Sequence, residues 1–197
     1  MKYFIVLITI VLISALMGCS ETNSSEPLTS QMDNSTELDL DALNKTLITK
    51  VQEEITPEII SGLIFMREEE KLARDIYIAM ANKYNLRIFS NISQSEQKHM
   101  NAMKLLLDRY GIVDPVGTNP TGVFVDTTLQ ALYNTLLVEG SKSVTDAMLV
   151  GKLIEETDIK DLDERLAKLQ SDSDIKFVYE NLRRGSEHHL SAFLRNL

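Results

Sequence analysis

Apolar residues recur every three or four positions in four long stretches of the chain after residue 56, which predicts four long α-helices. The first helix begins at Thr56 and Pro57, because threonine is a favourable N-cap and proline suits the first helical position. Neither glycine nor proline interrupts residues 63–84. The predicted inner face of this helix carries Met66, Glu70, Ala73, Tyr77, Met80 and Tyr84.

Glu70 is the acidic residue on this predicted inner face. Its ordinary interpretation is a boundary residue, or an ion pair with Arg74 at position i+4. Glu68 and Glu69 fall off the apolar face, and we expect them to be solvated.

The second predicted helix, residues 92–109, places a carboxylate three residues before an imidazole. Positions i and i+3 share a helix face, so Glu96 and His99 can reach one point. Both supply ligand atoms suited to iron, manganese or zinc. Their neighbours on the face are Ile92, Met103, Leu106 and Tyr110, so burial would oblige both polar side chains to find partners. A competing interpretation is a capping box in which Ser93 is the N-cap and Glu96 reaches back to its amide.

The lengths of the loops indicate how the helices connect. A turn over residues 85–91 predicts an antiparallel hairpin, staggered or with an earlier start of the second helix, since Glu70 and Glu96 otherwise differ in height. Residues 111–126 contain two prolines and three glycines around a short extended piece at 123–125. Extended, this loop reaches about 50 Å, whereas a helix of about 20 residues is about 30 Å long. It can therefore cross the bundle and let the next long helix run parallel to the second.

A short helix precedes the third long one. Thr127 or Thr128 caps it, and it runs to Val138 before Gly140. Ser143 then caps the third long helix, with Asp146 three residues later.

The third long helix carries an acidic run on or beside its inner face. Glu155 and Asp158 share that face, and Gly151 leaves space beside it. Glu156 lies on the neighbouring face, and the phase is uncertain by one residue; Glu155 is preferred. The competing interpretation of the whole run is a solvated charge cluster.

Residues 171–174 cap the last long helix, which runs from Ile175 to about Arg195. Its inner face carries Val178, Leu182, Gly185, His189 and Ala192, whereas His188 points away. A lone histidine on an apolar face is more often a core residue than a ligand.

The four long helices together place Glu70, Glu96 with His99, Glu155, and His189 inside the predicted bundle. Carboxylate-bridged metal sites of four-helix bundles use a glutamate from each of two helices and Glu-x-x-His from the other two. The sequence therefore predicts an all-α four-helix bundle, with one long crossover between the second and third long helices and a short extra helix before the third. The five named side chains are its candidate metal ligands.

The N-terminal residues 1–18 have the proportions of a signal peptide: Lys2 precedes an apolar run that is short for a bilayer span. The sequence Leu16-Met17-Gly18-Cys19 resembles a prokaryotic lipobox, which implies cleavage before Cys19 and lipid on its sulfur. The alternatives are an uncleaved anchor or an ordinary signal peptide. The expected product is a lipoprotein on the extracytoplasmic face of the cell membrane. Polar residues 19–50 are expected to form a flexible tether that includes at most a frayed helical turn near residues 38–48, and residues 51–197 the helical domain.

Composition excludes several other functions. The net charge of −9, without a basic stripe, argues against nucleic-acid binding. The single cysteine at position 19 excludes a disulfide, a thiolate metal site and a cysteine nucleophile in the folded domain. The sequence leaves the oligomeric state open, and a homo-oligomer is compatible with it.

Residues 59–197 resemble a prokaryotic family of ferritin-like domains catalogued as domain of unknown function 2202. The stretches that carry the resemblance are residues 67–75, 95–100, 151–162 and 185–193. The first of these, with Tyr77, is also similar to the first ligand helix of rubrerythrins. The resemblance implies a ferritin-like fold; the chemistry of the family is not established.

The last helix departs from the diiron pattern, because Ser186 stands where the glutamate of Glu-x-x-His is expected. The centre then holds one ion, or recruits Asp158 or Glu156, or its residues only hydrogen-bond to one another. We expect one or two iron or manganese ions, with Tyr77 nearby and oxygen- or peroxide-linked redox chemistry if the protein is an enzyme. The alternative function is a metal-free binding or structural module of the cell envelope.

Overall fold

A computed structural model describes residues 38–197, and this part of the chain is helical and contains no β-strand. The helices are α1 (Leu40–Leu47), α2 (Pro57–Tyr84), α3 (Arg87–Arg109), α4 (Thr127–Gly140), α5 (Val144–Leu166) and α6 (Asp174–Leu194). The predicted all-α bundle is confirmed, although the extended piece at 123–125 forms no strand. The predicted signal peptide and Cys19 lie outside the described residues. Between residues 38 and 197, no helix is both long and apolar enough to cross a membrane.

Four long helices form a closed ring, in which α2 packs on α3, α3 on α6, α6 on α5, and α5 on α2. Gly62 lies beside Arg165, and Tyr77 beside Glu155, so α2 and α5 run antiparallel. Since α2 and α3 form a hairpin, α5 runs parallel to α3, as the length of the crossover predicts. The shorter helices cover the outside, with α4 against α2 and α5, and α1 against α3 and α6.

The hairpin between α2 and α3 is tighter than expected. Thr56 caps α2 by accepting a hydrogen bond from the amide of Ile59, as predicted. Asn85, with φ of 52°, ends α2 in the left-handed conformation, and α3 begins at Arg87. The earlier start brings Glu96 to the height of Glu70. Ser93 lies inside α3 and donates to the carbonyl of Ser90, so the capping-box interpretation is wrong.

Glu68 and Glu69 are buried, and the prediction that both are solvated is wrong. The carboxylate of Glu68 accepts hydrogen bonds from the amides of Val125, at 2.6 Å, and Asp126, at 2.8 Å. It thereby fixes the end of the crossover and the start of α4. Helix α2 is enclosed on nearly all sides by other parts of the chain, so even its polar faces lie inside.

A second buried charge fastens the middle of the crossover to α2. The ammonium group of Lys71 contacts the carboxylate of Asp75 and donates to the carbonyl of Pro120. Asp75 also accepts from the amide of Gly122. The expected Glu70–Arg74 pair does not form, because Arg74 binds Asp75 instead.

Helix α1 falls within the predicted tether, but it is packed. Leu43 and Leu47 are buried against α3 and α6, and Asp39 caps the helix. The folded part of the chain therefore starts N-terminal to the predicted boundary at residue 51.

Two apolar clusters fill the bundle, one on each side of a layer of polar side chains. On α2, for example, Leu63 and Met66 belong to one cluster and Ile76 and Met80 to the other. Glu70 lies between them. This layer is the candidate functional site.

Candidate metal centre

The five predicted ligands converge in the polar layer, and each is at most 2 % exposed. They come from the four long helices: Glu70 on α2, Glu96 and His99 on α3, Glu155 on α5 and His189 on α6. One ligand atom from each of Glu96, His99 and His189 lies within 4.8 Å of the other two. Sequence spacing thus identified a set that the fold assembles.

Glu96 lies at the middle of the centre and serves both imidazoles. Its Oε2 atom is 2.9 Å from Nδ1 of His99, and its Oε1 atom is 2.8 Å from Nδ1 of His189. The two imidazole rings are 5.3 Å apart between centroids. One carboxylate therefore presents a separate oxygen to each histidine.

Glu70 and Glu155 complete the two halves. An oxygen of Glu70 is 3.3 Å from Nδ1 of His99, and an oxygen of Glu155 is 3.5 Å from Nδ1 of His189. Each half contains one imidazole and one carboxylate of its own, and both halves share Glu96.

His189 is oriented by a contact on its far side. Its Nε2 atom is 2.9 Å from the hydroxyl of Ser95, which directs Nδ1 toward the carboxylates. The 2.8 Å approach of Nδ1 to Glu96 Oε1 is not aligned as a hydrogen bond, so both atoms are buried without a hydrogen-bond partner. Glu70 Oε1 is in the same state. Converging buried acceptors without donors are what a cation between them would satisfy, so these residues fit a bound metal.

The predicted accessory residues divide into two groups. Tyr77 donates a 2.5 Å hydrogen bond to Glu155, and Ser186 donates a 2.5 Å hydrogen bond to Asp158 Oδ2. Asp158 Oδ1 is buried and unpartnered. Glu156, by contrast, is exposed and pairs with Lys152. Glu156 as a substitute ligand is therefore wrong, because the phase of α5 turns it to solvent.

Electrostatics in the centre reflect several acids in a water-excluded space. Burial raises the pKa of Glu70 to about 8, and burial with the charge of Glu96 raises the pKa of Glu155. Burial opposes the charged form of His189, but Glu96 and Glu155 outweigh it and raise its pKa to about 10. Burial also raises the pKa of Asp158 well above its ordinary value, reinforced by Glu70. Without a cation, the centre therefore retains protons.

Gly185 permits the position of His99. A Cβ at Gly185 would lie 2.7 Å from Cε1 of His99 and closer still to Nε2. Gly151 likewise gives room to Phe193, whose ring packs on Tyr77. The space expected beside Gly151 is thus filled by an aromatic ring.

Sequence reasoning missed the role of Ser95 and the burial of Glu69. Ser95 immediately precedes Glu96 and would look like an ordinary helix residue, so its contact with His189 depends on the packing of α3 against α6. Glu69 Oε2 is buried and unpartnered, and the pKa of Glu69 is raised by burial and by Asp158. Neither feature has a distinctive spacing in the sequence.

Comparison with known proteins gives a family without an assigned activity. Residues 59–197 match the model of an uncharacterized protein domain, DUF2202. The uncharacterized protein MJ0754 of Methanocaldococcus jannaschii is 51% identical over 143 residues, which cover 73% of this chain and 77% of that protein. The crystal structure of the hypothetical protein MJ0754 from Methanococcus jannaschii matches with a TM-score of 0.72 and 50% identity, covering 75% of this chain and 83% of that chain. The chain belongs to the DUF2202 family.

Proposed function

We propose that this protein binds two divalent metal ions, iron or manganese, in the polar layer of its bundle. The observation that carries the proposal is the position of Glu96, which offers one oxygen to Nδ1 of each histidine. Glu70 would complete the shell of one ion and Glu155 that of the other. The alternative with one ion uses the same site, with Glu96, His99 and His189 as its ligands.

Charge supports two ions. Glu70, Glu96, Glu155 and Asp158 carry four negative charges when ionised, and two divalent cations offset all four. Without cations, burial raises the pKa of Glu70, Glu155 and Asp158 and favours their protonated forms, whereas, against burial, His99 and His189 lower the pKa of Glu96. Asp158 thereby acquires a role at the place where Ser186 leaves the α6 carboxylate missing.

Ligand chemistry supports iron or manganese. Imidazole and carboxylate together suit these ions, and the only cysteine, Cys19, lies outside the described domain. Such ions, when bound, supply redox chemistry toward oxygen or peroxide. The chain itself buries the ligands and, through Tyr77 and Ser95, holds Glu155 and His189 in place.

Elemental analysis tests the proposal. The full chain, purified without chelators and supplied with ferrous or manganous ion, should retain about two ions per chain. The double variant Glu96→Ala/His99→Ala should retain none, whereas Glu156→Ala, on the exposed face of α5, should match the unaltered protein. A wild-type protein that takes up neither ion would refute metal binding.

The second candidate function is a metal-free binding or structural module. It is favoured by three hydrogen bonds within the layer: Tyr77 to Glu155, Ser186 to Asp158, and His189 to Ser95. These bonds would stabilise a polar network without an ion. In that case added metal would not raise the unfolding temperature, whereas a ligand that binds the folded state must raise it.

We also propose that the bundle is ferritin-like and tethered outside the cytoplasm by lipid on Cys19. The ring of four helices with one long crossover supports the first proposal. The lipobox-like sequence before Cys19 supports the second. Cys19→Ser should release the protein from membranes of its host or of a bacterial expression host. Equal membrane retention of the variant would refute lipid anchoring.

A further inference from the structure

A cavity of about 370 Å³ lies between α1 and α6 and reaches the metal centre at His99. This volume is at the lower end of the range for small-molecule sites. Its lining combines two kinds of surface. Leu43, Ala42 and Phe177 give it an apolar part, and His99, Arg184 and His188 give it a polar part.

His99, a candidate metal ligand, forms part of the cavity lining. Within residues 38–197, the polar contacts of His99 are all made by Nδ1, toward Glu70 and Glu96. Its Nε2 atom lies against Gly185, whose missing side chain makes room for the ring, and both residues line the cavity. When Nδ1 binds a metal, Nε2 carries a proton that ordinarily finds an acceptor. The other histidine, His189, has such a neighbour in Ser95, so His99 lacks the contact that His189 has.

The cavity is lined by one basic and one acidic side chain, Arg184 on α6 and Asp39, whose carboxylate caps α1 by accepting from the amides of Asp41 and Ala42. The guanidinium of Arg184 donates a 2.6 Å hydrogen bond to Asn181, a cavity residue one helical turn earlier on α6. It forms none of the ion pairs found among residues 38–197, whereas its neighbour Arg183 pairs with Asp163 and Glu187. An oxygen-bearing anion would satisfy both Arg184 and the Nε2–H group of His99.

Helix α1 and its N-cap supply another wall, which is apolar at Ala42 and Leu43 and polar at Asp39 and Thr46. Leu43 is buried, and the small side chain of Ala42 leaves room beside it. Phe177 adds a ring from the first turns of α6. A bound molecule can therefore meet the hydrogen-bond donors of Arg184 and also the hydrocarbon of Leu43 and Phe177.

We propose that this cavity binds a small organic acid, with its carboxylate toward Arg184 and His99 and a short apolar body against Leu43 and Phe177. The site is distinct from the metal centre but shares His99 with it. Binding of the acid does not require the metal, because Arg184 and the apolar lining lie in the cavity with or without an ion.

Three probes separate the parts of this proposal: butyrate has both a charge and an apolar body, n-butanol has only the body, and inorganic phosphate has only the charge. Binding to the full chain is measured by isothermal titration calorimetry, with and without added manganous ion. Butyrate should bind at one site per chain, at least about tenfold more tightly than either other probe. Equal binding of phosphate would indicate a plain oxyanion site and overturn the organic-acid assignment. Equal binding of butanol would show that the carboxylate does not contribute to affinity, and it would also overturn the organic-acid assignment.

Variants test the location. Arg184→Gln should weaken butyrate binding about tenfold or more, and Ala42→Phe, which fills the cavity from an exposed position on α1, should abolish it. The matched controls Arg183→Gln and Asn44→Phe lie outside the cavity lining and should leave butyrate binding unchanged. Unaltered binding in both cavity variants, or no saturable binding of butyrate to the unaltered protein, would overturn the proposal. Butyrate binding that persists without metal would stand even if metal binding failed.

Discussion

Replacing Gly185 by alanine tests whether the placement of His99 controls the metal centre. The new Cβ would lie 2.7 Å from Cε1 of His99, whereas ordinary contacts begin near 3.4 Å, so the ring must move by about 0.7 Å or more. Functional groups need to be held to within about 0.5 Å of their working positions. We therefore expect Gly185→Ala to weaken metal binding about 10- to 100-fold, the range typical of disturbed ligand orientation.

Stability should change less than metal affinity. Alanine is favoured over glycine inside a helix by about 1 kcal/mol, whereas overpacking a core costs about 1–3 kcal/mol. The metal-free variant should therefore lose between zero and about 2 kcal/mol of unfolding free energy. Chelator competition measures the affinity, and urea unfolding of the metal-free protein measures the stability.

Gly151→Ala is the matched control, because its Cβ would lie 2.5 Å from Cζ of Phe193, a ring that is not a ligand. It should lower the unfolding free energy by a similar amount but weaken metal binding less than Gly185→Ala does, because Phe193 reaches the ligand Glu155 only through Tyr77. If Gly185→Ala bound metal as tightly as the unaltered protein, the assignment of His99 as a ligand would be refuted.

Three further predictions concern the charges around the centre. Asp158→Asn should weaken metal binding about tenfold but change metal-free stability much less, because burial raises the pKa of Asp158 and favours its neutral form when no metal is bound. Unchanged metal affinity in chelator competition would exclude Asp158 as a ligand. Glu68→Gln should lower the unfolding free energy measured in urea by about 1.5–3 kcal/mol, because one of the two crossover amides loses its carboxylate acceptor. The metal content should not change, and a loss of metal would contradict a purely structural role for Glu68. Metal binding should release protons at pH 7 and weaken as pH falls, because burial raises the pKa of Glu70 to about 8 and, against burial, Glu96 raises the pKa of His189 to about 10. Calorimetry in buffers of different ionisation enthalpy measures this release. A binding enthalpy that is the same in every buffer would contradict the prediction.

Helix periodicity predicted much of the centre because ligand positions are a property of single helix faces. The phase of α5 was uncertain by one residue, and the structure buries the preferred Glu155 and exposes Glu156. Side-chain caps at Thr56, Ser143 and Ser173 marked three helix starts, where the sequence carries a local hydrogen-bonding signal.

Features that depend on packing between distant segments were not predictable in this way. Helix α3 starts at Arg87 behind Leu86, which provides no side-chain cap, so its early start has no local signal. The burial of Glu68 depends on the crossover lying against α2, about 57 positions away in sequence. The packing of α1 depends on a groove between α3 and α6 that exists only in the folded bundle.

Anomalous diffraction from crystals of the manganese-loaded protein would test the central claim most directly. The account predicts two manganese peaks in each chain, one beside Nδ1 of His99 and one beside Nδ1 of His189, with Glu96 between them. A polar layer that contains no manganese peak, in crystals with the ion bound elsewhere, would contradict the account.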